Sequence, residues 1–176
     1  MKKSTVISTI AFAFIMLLSL NINAQKFAKL DKSPLDIATF PASYKNSDKQ
    51  VKVTYSRPQL KGRDLSELAP NGKVWRTGAN EAANIRIYTD MKIGGKTINA
   101  GEYSLFTIPG EKEWTIIINK DINVWGAYTY NAANDIIRVN APVSSGNTLE
   151  AFSIAFTKGN MHLGWGTIRV TVPFTK

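Results

Sequence analysis

Met91-Lys92-Ile93-Gly94-Gly95-Lys96-Thr97-Ile98 is the stretch that decides the fold. Two short runs with apolar residues at alternate positions flank a pair of glycines. Tight two-residue hairpin turns need positive φ at their centre, which glycine adopts without steric cost. The stretch therefore reads as a β-hairpin, and its period of two recurs on both sides. Upstream, Val51, Val53 and Tyr55 alternate with Lys52 and Thr54, and Ile85 and Ile87 alternate with Arg86 and Tyr88. Downstream, Asn99-Ala100-Gly101 turns the chain into a strand from Tyr103 to Ile108, closed by Pro109-Gly110. Trp114 to Ile118 is almost continuously apolar, as expected of a central strand buried on both faces. Ile136 to Val143 follows, and then Phe152, Ile154 and Phe156 alternate with Ser153 and Ala155.

The last strand changes parity. Met161, Leu163 and Trp165 lie on one face, Ile168, Val170 and Val172 on the other, with Gly164 and Gly166 between them. A strand of period two cannot change face without an extra residue, so a β-bulge is expected there. Eight or nine short strands, and no helical periodicity longer than one turn, predict an all-β, single-domain antiparallel β-sandwich. It occupies residues 51–176, after an extended N-terminal arm at residues 25–50 with Pro34 and Pro41.

Residues 1–24 have the three parts of a cleaved signal peptide: Lys2 and Lys3, an apolar run from Val6 to Leu20, and Ile22-Asn23-Ala24 before Gln25. A membrane anchor usually needs about 20 apolar residues. This run is short for that and is followed by Asn21 and Asn23, so cleavage is favoured, with no stable membrane insertion afterwards. The expected location is periplasmic or extracellular. The chain has no cysteine, which excludes disulfides, thiolate metal sites and lipidation on a thiol. Its one histidine, His162, excludes a multi-histidine metal centre, and no motif for any cofactor is present.

Cleavage would leave 20 basic against 13 acidic residues, a net charge of +7. That suits an anionic partner such as a polysaccharide or a phosphate ester, although scattered lysines also serve solubility. Without a Lys/Arg run, and outside the cytoplasm, nucleic acid is not the expected partner.

Between Tyr55-Ser56-Arg57-Pro58 and Val74-Trp75-Arg76-Thr77-Gly78-Ala79-Asn80-Glu81 the chain gathers Tyr55, Arg57, Arg63, Trp75, Arg76, Asn80 and Glu81. Arg57 continues the parity of Val51, Val53 and Tyr55 and should point inward, where a guanidinium needs a carboxylate, a phosphate or a sulfate. Glu81 is the expected partner within the chain, for Arg57 and for Arg76. Trp75 is either a stacking surface for a sugar or a core residue, the second being commoner. Trp125, with Tyr128 and Tyr130, forms a second aromatic cluster, and Arg138 opposes Ile137 and Val139 as a fourth arginine. Whether these segments converge is not readable from their spacing.

Three functions remain open. One is a binding module for an anionic or carbohydrate-like envelope ligand, with those residues as contacts. Another is a structural or interaction module of the envelope, in which the same residues form an internal network. The weakest is a hydrolase pairing Glu81 with Asp64 or Asp135, because no G-x-S-x-G context or histidine partner is present.

Five blocks also resemble one family: Lys32-Ser33-Pro34-Leu35-Asp36-Ile37, Tyr55-Ser56-Arg57-Pro58 with Gly62-Arg63, Trp75-Arg76-Thr77-Gly78-Ala79-Asn80-Glu81, Ala100-Gly101-Glu102-Tyr103-Ser104-Leu105-Phe106-Thr107-Ile108-Pro109, and Trp125-Gly126-Ala127-Tyr128. They are similar to the signature blocks of a domain-of-unknown-function family of exported bacterial proteins. The resemblance implies export and a single β-domain. It carries over no catalytic residue, substrate or cofactor.

Overall fold

The computed structural model describes residues 26–176, and the proposed signal peptide at residues 1–24 lies outside the described residues. Asp31–Lys176 forms one compact unit, while the chain up to Leu30 belongs to a separate one. Among the described residues there are nine strands: β1 (Leu35–Phe40), β2 (Val51–Ser56), β3 (Ala83–Ile87), β4 (Met91–Ile93), β5 (Lys96–Ile98), β6 (Gly101–Ile108), β7 (Glu113–Asn119), β8 (Asp135–Thr157) and β9 (Asn160–Thr175). A four-residue helix, α1 (Leu65–Leu68), and a 3-10 turn at Ala132–Asn134 are the helical parts.

The strands form one open antiparallel sheet in the order β1-β2-β3-β6-β7-β8-β9-β4-β5. The long β8 makes two layers of it. Its first part, Asp135–Pro142, pairs with β7, and its second, from Val143 to Thr157, pairs with β9. A strand that passes from one layer to the next is the usual corner of a β-sandwich. Side chains then meet across the gap: Phe40 on Phe174 at 5.0 Å between ring centroids, Tyr55 on Phe152 at 5.6 Å, and Trp75 stacked on Trp165 at 5.4 Å. Trp75, Trp114, Phe152 and Trp165 are all buried at the centre of this core. Truncating such an aromatic to alanine costs about 3–5 kcal/mol.

The hairpin closes as the glycine pair requires. Met91 faces Ile98 and Ile93 faces Lys96, with Gly94 at φ +56° and Gly95 at φ +81°. Tight packing on β8 also demands glycine at position 94, because a Cβ there would lie 2.6 Å from the Val139 side chain.

The parity change in β9 is present: Met161, Leu163 and Trp165 are buried, as are Val170, Val172 and Phe174. Gly166 sits at the switch with φ +52°. The extra residues, however, are on the partner strand. Between Ser145 and Leu149, and again between Leu149 and Ser153, four residues of β8 advance over two of β9. The polar Ser144-Ser145-Gly146-Asn147-Thr148 stretch supplies the slack of the first interval.

The segment read as an N-terminal arm is extended, but Leu35–Phe40 within it is the edge strand β1, paired along its length with β2. The apolar run in β7 is buried on both faces as expected. Ile116 and Ile118 join the main core, whereas Ile117 joins Ala82 and Phe106 in a smaller cluster on the outer face. Val124, Ala127 and Tyr130 cover that cluster, and this anchors the loop between β7 and β8.

Candidate functional site

The two odd segments of the sequence converge. The backbones of Glu81 and Trp125 form an isolated antiparallel bridge. Ala82 N–H donates to Val124 O at 2.8 Å, and Gly126 N–H donates to Asn80 O at 3.0 Å. Left-handed backbone shapes both sides of the contact, at Thr77 (φ +54°), Asn80 (φ +63°), Asn123 (φ +57°) and Gly126 (φ +68°). Gly78 lies against β2, where a Cβ would come within 3.0 Å of Ser56 O. Asparagine tolerates the left-handed region and glycine permits close approach of two backbones, whereas the β-branched Thr77 is held there against its own preference.

A groove of about 300 Å³ opens beside this contact. Ser33 and Leu35 line it from the start of β1, Thr54, Tyr55 and Ser56 from β2, and Asn80, Glu81 and Asn84 from the neighbouring segment, with Asp31 and Trp125 also on its wall. Trp125 is 61% exposed. An indole left in solvent forgoes a large hydrophobic gain, so a wet tryptophan on a groove is a better binding feature than a buried one. The groove is lined by two carboxylates, two amides and several hydroxyls, and by no lysine or arginine.

The arginines are held elsewhere. Arg57 donates from Nε to Phe152 O at 3.0 Å, from Nη1 to Asp36 Oδ2 at 3.1 Å and from Nη2 to Ser153 Oγ at 2.6 Å. Its acid partner is thus Asp36, not Glu81. Tyr55 reinforces the same seam, its hydroxyl accepting from Ile154 N–H at 2.8 Å, and burial raises its pKa above the ordinary phenol value. Arg63 folds back on its own loop, donating to Leu60 O at 3.0 Å and Gln59 O at 2.8 Å. Arg138 binds Asp135 Oδ2 at 2.8 Å and the Tyr130 hydroxyl at 3.0 Å.

The expected Arg76–Glu81 ion pair does not form. Glu81 is exposed on the groove, drawn there by its backbone pairing with Trp125. Arg76 is left with a buried Nε that has no hydrogen-bond partner among the described residues. Trp75 is a core residue, as the commoner reading had it. Of the nine candidate residues, Tyr55, Asn80, Glu81 and Trp125 line the groove, and Arg57, Arg63, Trp75, Arg76 and Arg138 do not. Neither Asp64 nor Asp135 lines it with Glu81, which removes the geometric basis for those carboxylate pairs.

Ser33, Thr54, Ser56 and Asn84 are groove residues that sequence reasoning passed over. The parity of β2 and β3 was the available signal, since Thr54 and Asn84 face away from the core defined by Val53 and Ile85 and are partners in the ladder. His162 lies between two threonine hydroxyls, Thr157 at 2.8 Å and Thr171 at 3.0 Å.

Polar contacts brace the loop that carries Trp125. Asn119 Nδ2 donates to Asn131 O at 3.0 Å and to Asp135 Oδ1 at 2.9 Å, and Asn134 Nδ2 donates to both Asp121 carboxylate oxygens at 2.8 Å. The Tyr130 hydroxyl donates to Asp135 Oδ2 at 2.6 Å, and the Tyr130 ring packs edge-on against Phe106. Burial, together with the adjacent Asp135 carboxylate, pushes the Tyr130 pKa up to about 12.

No curated protein matches the chain, and no solved structure does. A family model described as a protein of unknown function (DUF2911) matches residues 38–174, from the middle of β1 to the end of β9, and the chain belongs to that family.

Proposed function

We propose that this is an exported saccharide-binding domain and that its ligand lies in the groove against Trp125. The observation that carries the reading is a largely exposed indole on a groove of carboxylates, amides and hydroxyls. A sugar ring presents an apolar C–H face, which stacks on an indole, and a rim of hydroxyls. Side-chain amides bond to such hydroxyls as donor and acceptor at once, and a carboxylate accepts from them in charge-assisted bonds. Asn80, Asn84 and Glu81 supply these groups beside Trp125. The carboxylates of Asp31 and Glu81 disfavour a free anion inside the groove itself, so the contact set differs from an arginine cluster.

The test is a titration of the domain from Gln25 to Lys176 with neutral hexose and N-acetylhexosamine oligosaccharides, read by tryptophan fluorescence and thermal shift. Binding that Trp125→Ala removes, with the unfolding transition unchanged, is the expected outcome. If no oligosaccharide binds, or if Trp125→Ala binds as well as the parent, the reading fails.

The second reading, a structural or interaction module of the envelope, draws on one observation: Arg57 spends all three of its guanidinium nitrogens on its own chain.

A further inference from the structure

A second cleft adjoins the groove. It has a volume of about 380 Å³ and is lined by Lys32, Ser33, Gln59, Lys61 and Arg63. Ser33 lines both, so the two adjoin at that residue. Their chemistry is opposite: the groove holds carboxylates and no cation, and the cleft holds three cationic residues and no carboxylate.

No ion pair engages the cations of the cleft, although the carboxylates of Glu150 and Asp31 accept from the backbone N–H groups of Lys61 and Ser33 beside it. The ion pairs among the described residues are Arg57–Asp36, Arg86–Glu102 and Arg138–Asp135, and none includes Lys32, Lys61 or Arg63. All three cations are exposed, yet two of them are held by local geometry. Lys61 is fixed in a left-handed turn (φ +50°), with its backbone N–H donating to Glu150 Oε1 at 2.6 Å. Arg63 is locked by its bonds to Leu60 O and Gln59 O, while its Nη1 makes no hydrogen bond among the described residues. Three exposed like charges along one small cleft repel one another weakly across solvent, and together they attract an anion to it. A guanidinium and two ammonium groups are also the donors that carboxylate, sulfate and phosphate oxygens favour.

We infer that the saccharide is acidic, with a neutral ring against Trp125 and an anionic substituent in the cleft of Lys32, Lys61 and Arg63. This rests on the saccharide reading of the groove and adds the charge class of the ligand to it. The shared chemistry is an anionic oxygen group borne by a sugar next to the stacked one. Such a ligand reconciles a groove that rejects anions with a neighbour that attracts one.

The experiment compares oligosaccharides in which a uronate alternates with a neutral N-acetylhexosamine, their methyl esters of equal length and a sulfated oligosaccharide by isothermal titration calorimetry on the Gln25–Lys176 domain. At least one of the two acidic probes should bind about tenfold more tightly than the neutral ester, with the difference lost near 1 M salt, where the Debye length is about 3 Å. Which acidic probe binds tells carboxylate from sulfate. The double variant Lys32→Gln/Lys61→Gln removes no side-chain hydrogen bond of the described residues, and it should lose the preference while keeping its affinity for the ester. Arg63→Lys, which keeps the charge and loses the Nη1 donor positioned by the two backbone bonds, should weaken the acidic probe less than the double variant does. Equal affinity for ester and acids, or an acid preference that survives the double variant, overturns the inference and leaves the saccharide reading standing. If none of the three probes binds, both fail together. If inorganic sulfate alone binds through Lys32 and Lys61 while no saccharide does, the link between cleft and groove is refuted.

Discussion

Glu81 and Trp125, 44 positions apart in the chain, lie on paired backbone segments, and their side chains line the same groove. The pairing depends on Gly126, whose N–H bonds to Asn80 O and whose φ is +68°. A Cβ at position 126 would also fall 2.6 Å from the ring of Tyr128. That ring is exposed and can swing aside, but the backbone conformation cannot be exchanged so cheaply. Gly126→Ala should therefore destabilise the domain by about 1–2 kcal/mol, measured by urea unfolding. Under the saccharide reading it should also weaken oligosaccharide binding through displacement of Trp125. An unchanged midpoint would show that the loop does not need this conformation.

Arg57 and Arg76 should respond in opposite ways to removal of their charge. Arg57→Ala removes the side-chain donor to the Phe152 carbonyl at the seam between β2 and β8, and one to the Ser153 hydroxyl, which keeps its own bond to Ala151 O. An unsatisfied buried group costs about 1–3 kcal/mol, whereas the partly exposed ion pair with Asp36 adds little. Arg76→Met keeps the aliphatic stem and deletes an Nε that already lacks a partner. It should be neutral within about 1 kcal/mol, or stabilising. Equilibrium unfolding of both variants checks the contrast, which a large loss in Arg76→Met would contradict.

Tyr130 makes stability sensitive to alkaline pH. Its phenol titrates at about 12 instead of the ordinary 10, so the folded state holds the proton more tightly than the unfolded one. The stabilisation is complete below pH 10 and is lost as the pH rises through 12. Urea unfolding between these limits should fall more steeply for the parent than for Tyr130→Phe, which has no phenol to titrate. Parallel curves would remove Tyr130 from the account.

The two hairpin glycines differ in what surrounds them. Gly94→Ala meets the Val139 side chain as well as backbone strain, while Gly95→Asn meets open space in a conformation asparagine tolerates. Gly94→Ala should therefore cost at least 1 kcal/mol more than Gly95→Asn, roughly one overpacked contact. Thermal unfolding of the two variants side by side decides it.

Period two and glycine punctuation are local properties, and they made the β-architecture readable. The Gly94-Gly95 hairpin, the doubly buried β7 and the parity change in β9 all follow from neighbours within a few residues, because side-chain direction along a strand alternates whatever the strand pairs with. Strand partners are less local. β8 was read as two separate strands, although the Ser144–Thr148 stretch runs on through irregular pairing with β9. β1 was read as an arm because only its ladder with β2 makes it part of the sheet.

The site divides along the same line. By itself the sequence determined which residue types were available: an unusual concentration of arginine, tryptophan, asparagine and carboxylate, with no cysteine and a single histidine. It also favoured the core over a sugar-stacking surface for Trp75, since a large apolar side chain in a strand is more stable out of water. Only the tertiary structure decided which of these side chains face a common space. Arg57 found Asp36 rather than Glu81 because β1 lies beside β2 while residues 80–82 are held by the loop at Val124–Gly126. Side-chain pairing is settled by distance in space, and in an antiparallel sheet whose order departs from chain order that distance is set by the whole ladder rather than by the spacing of residues along the chain.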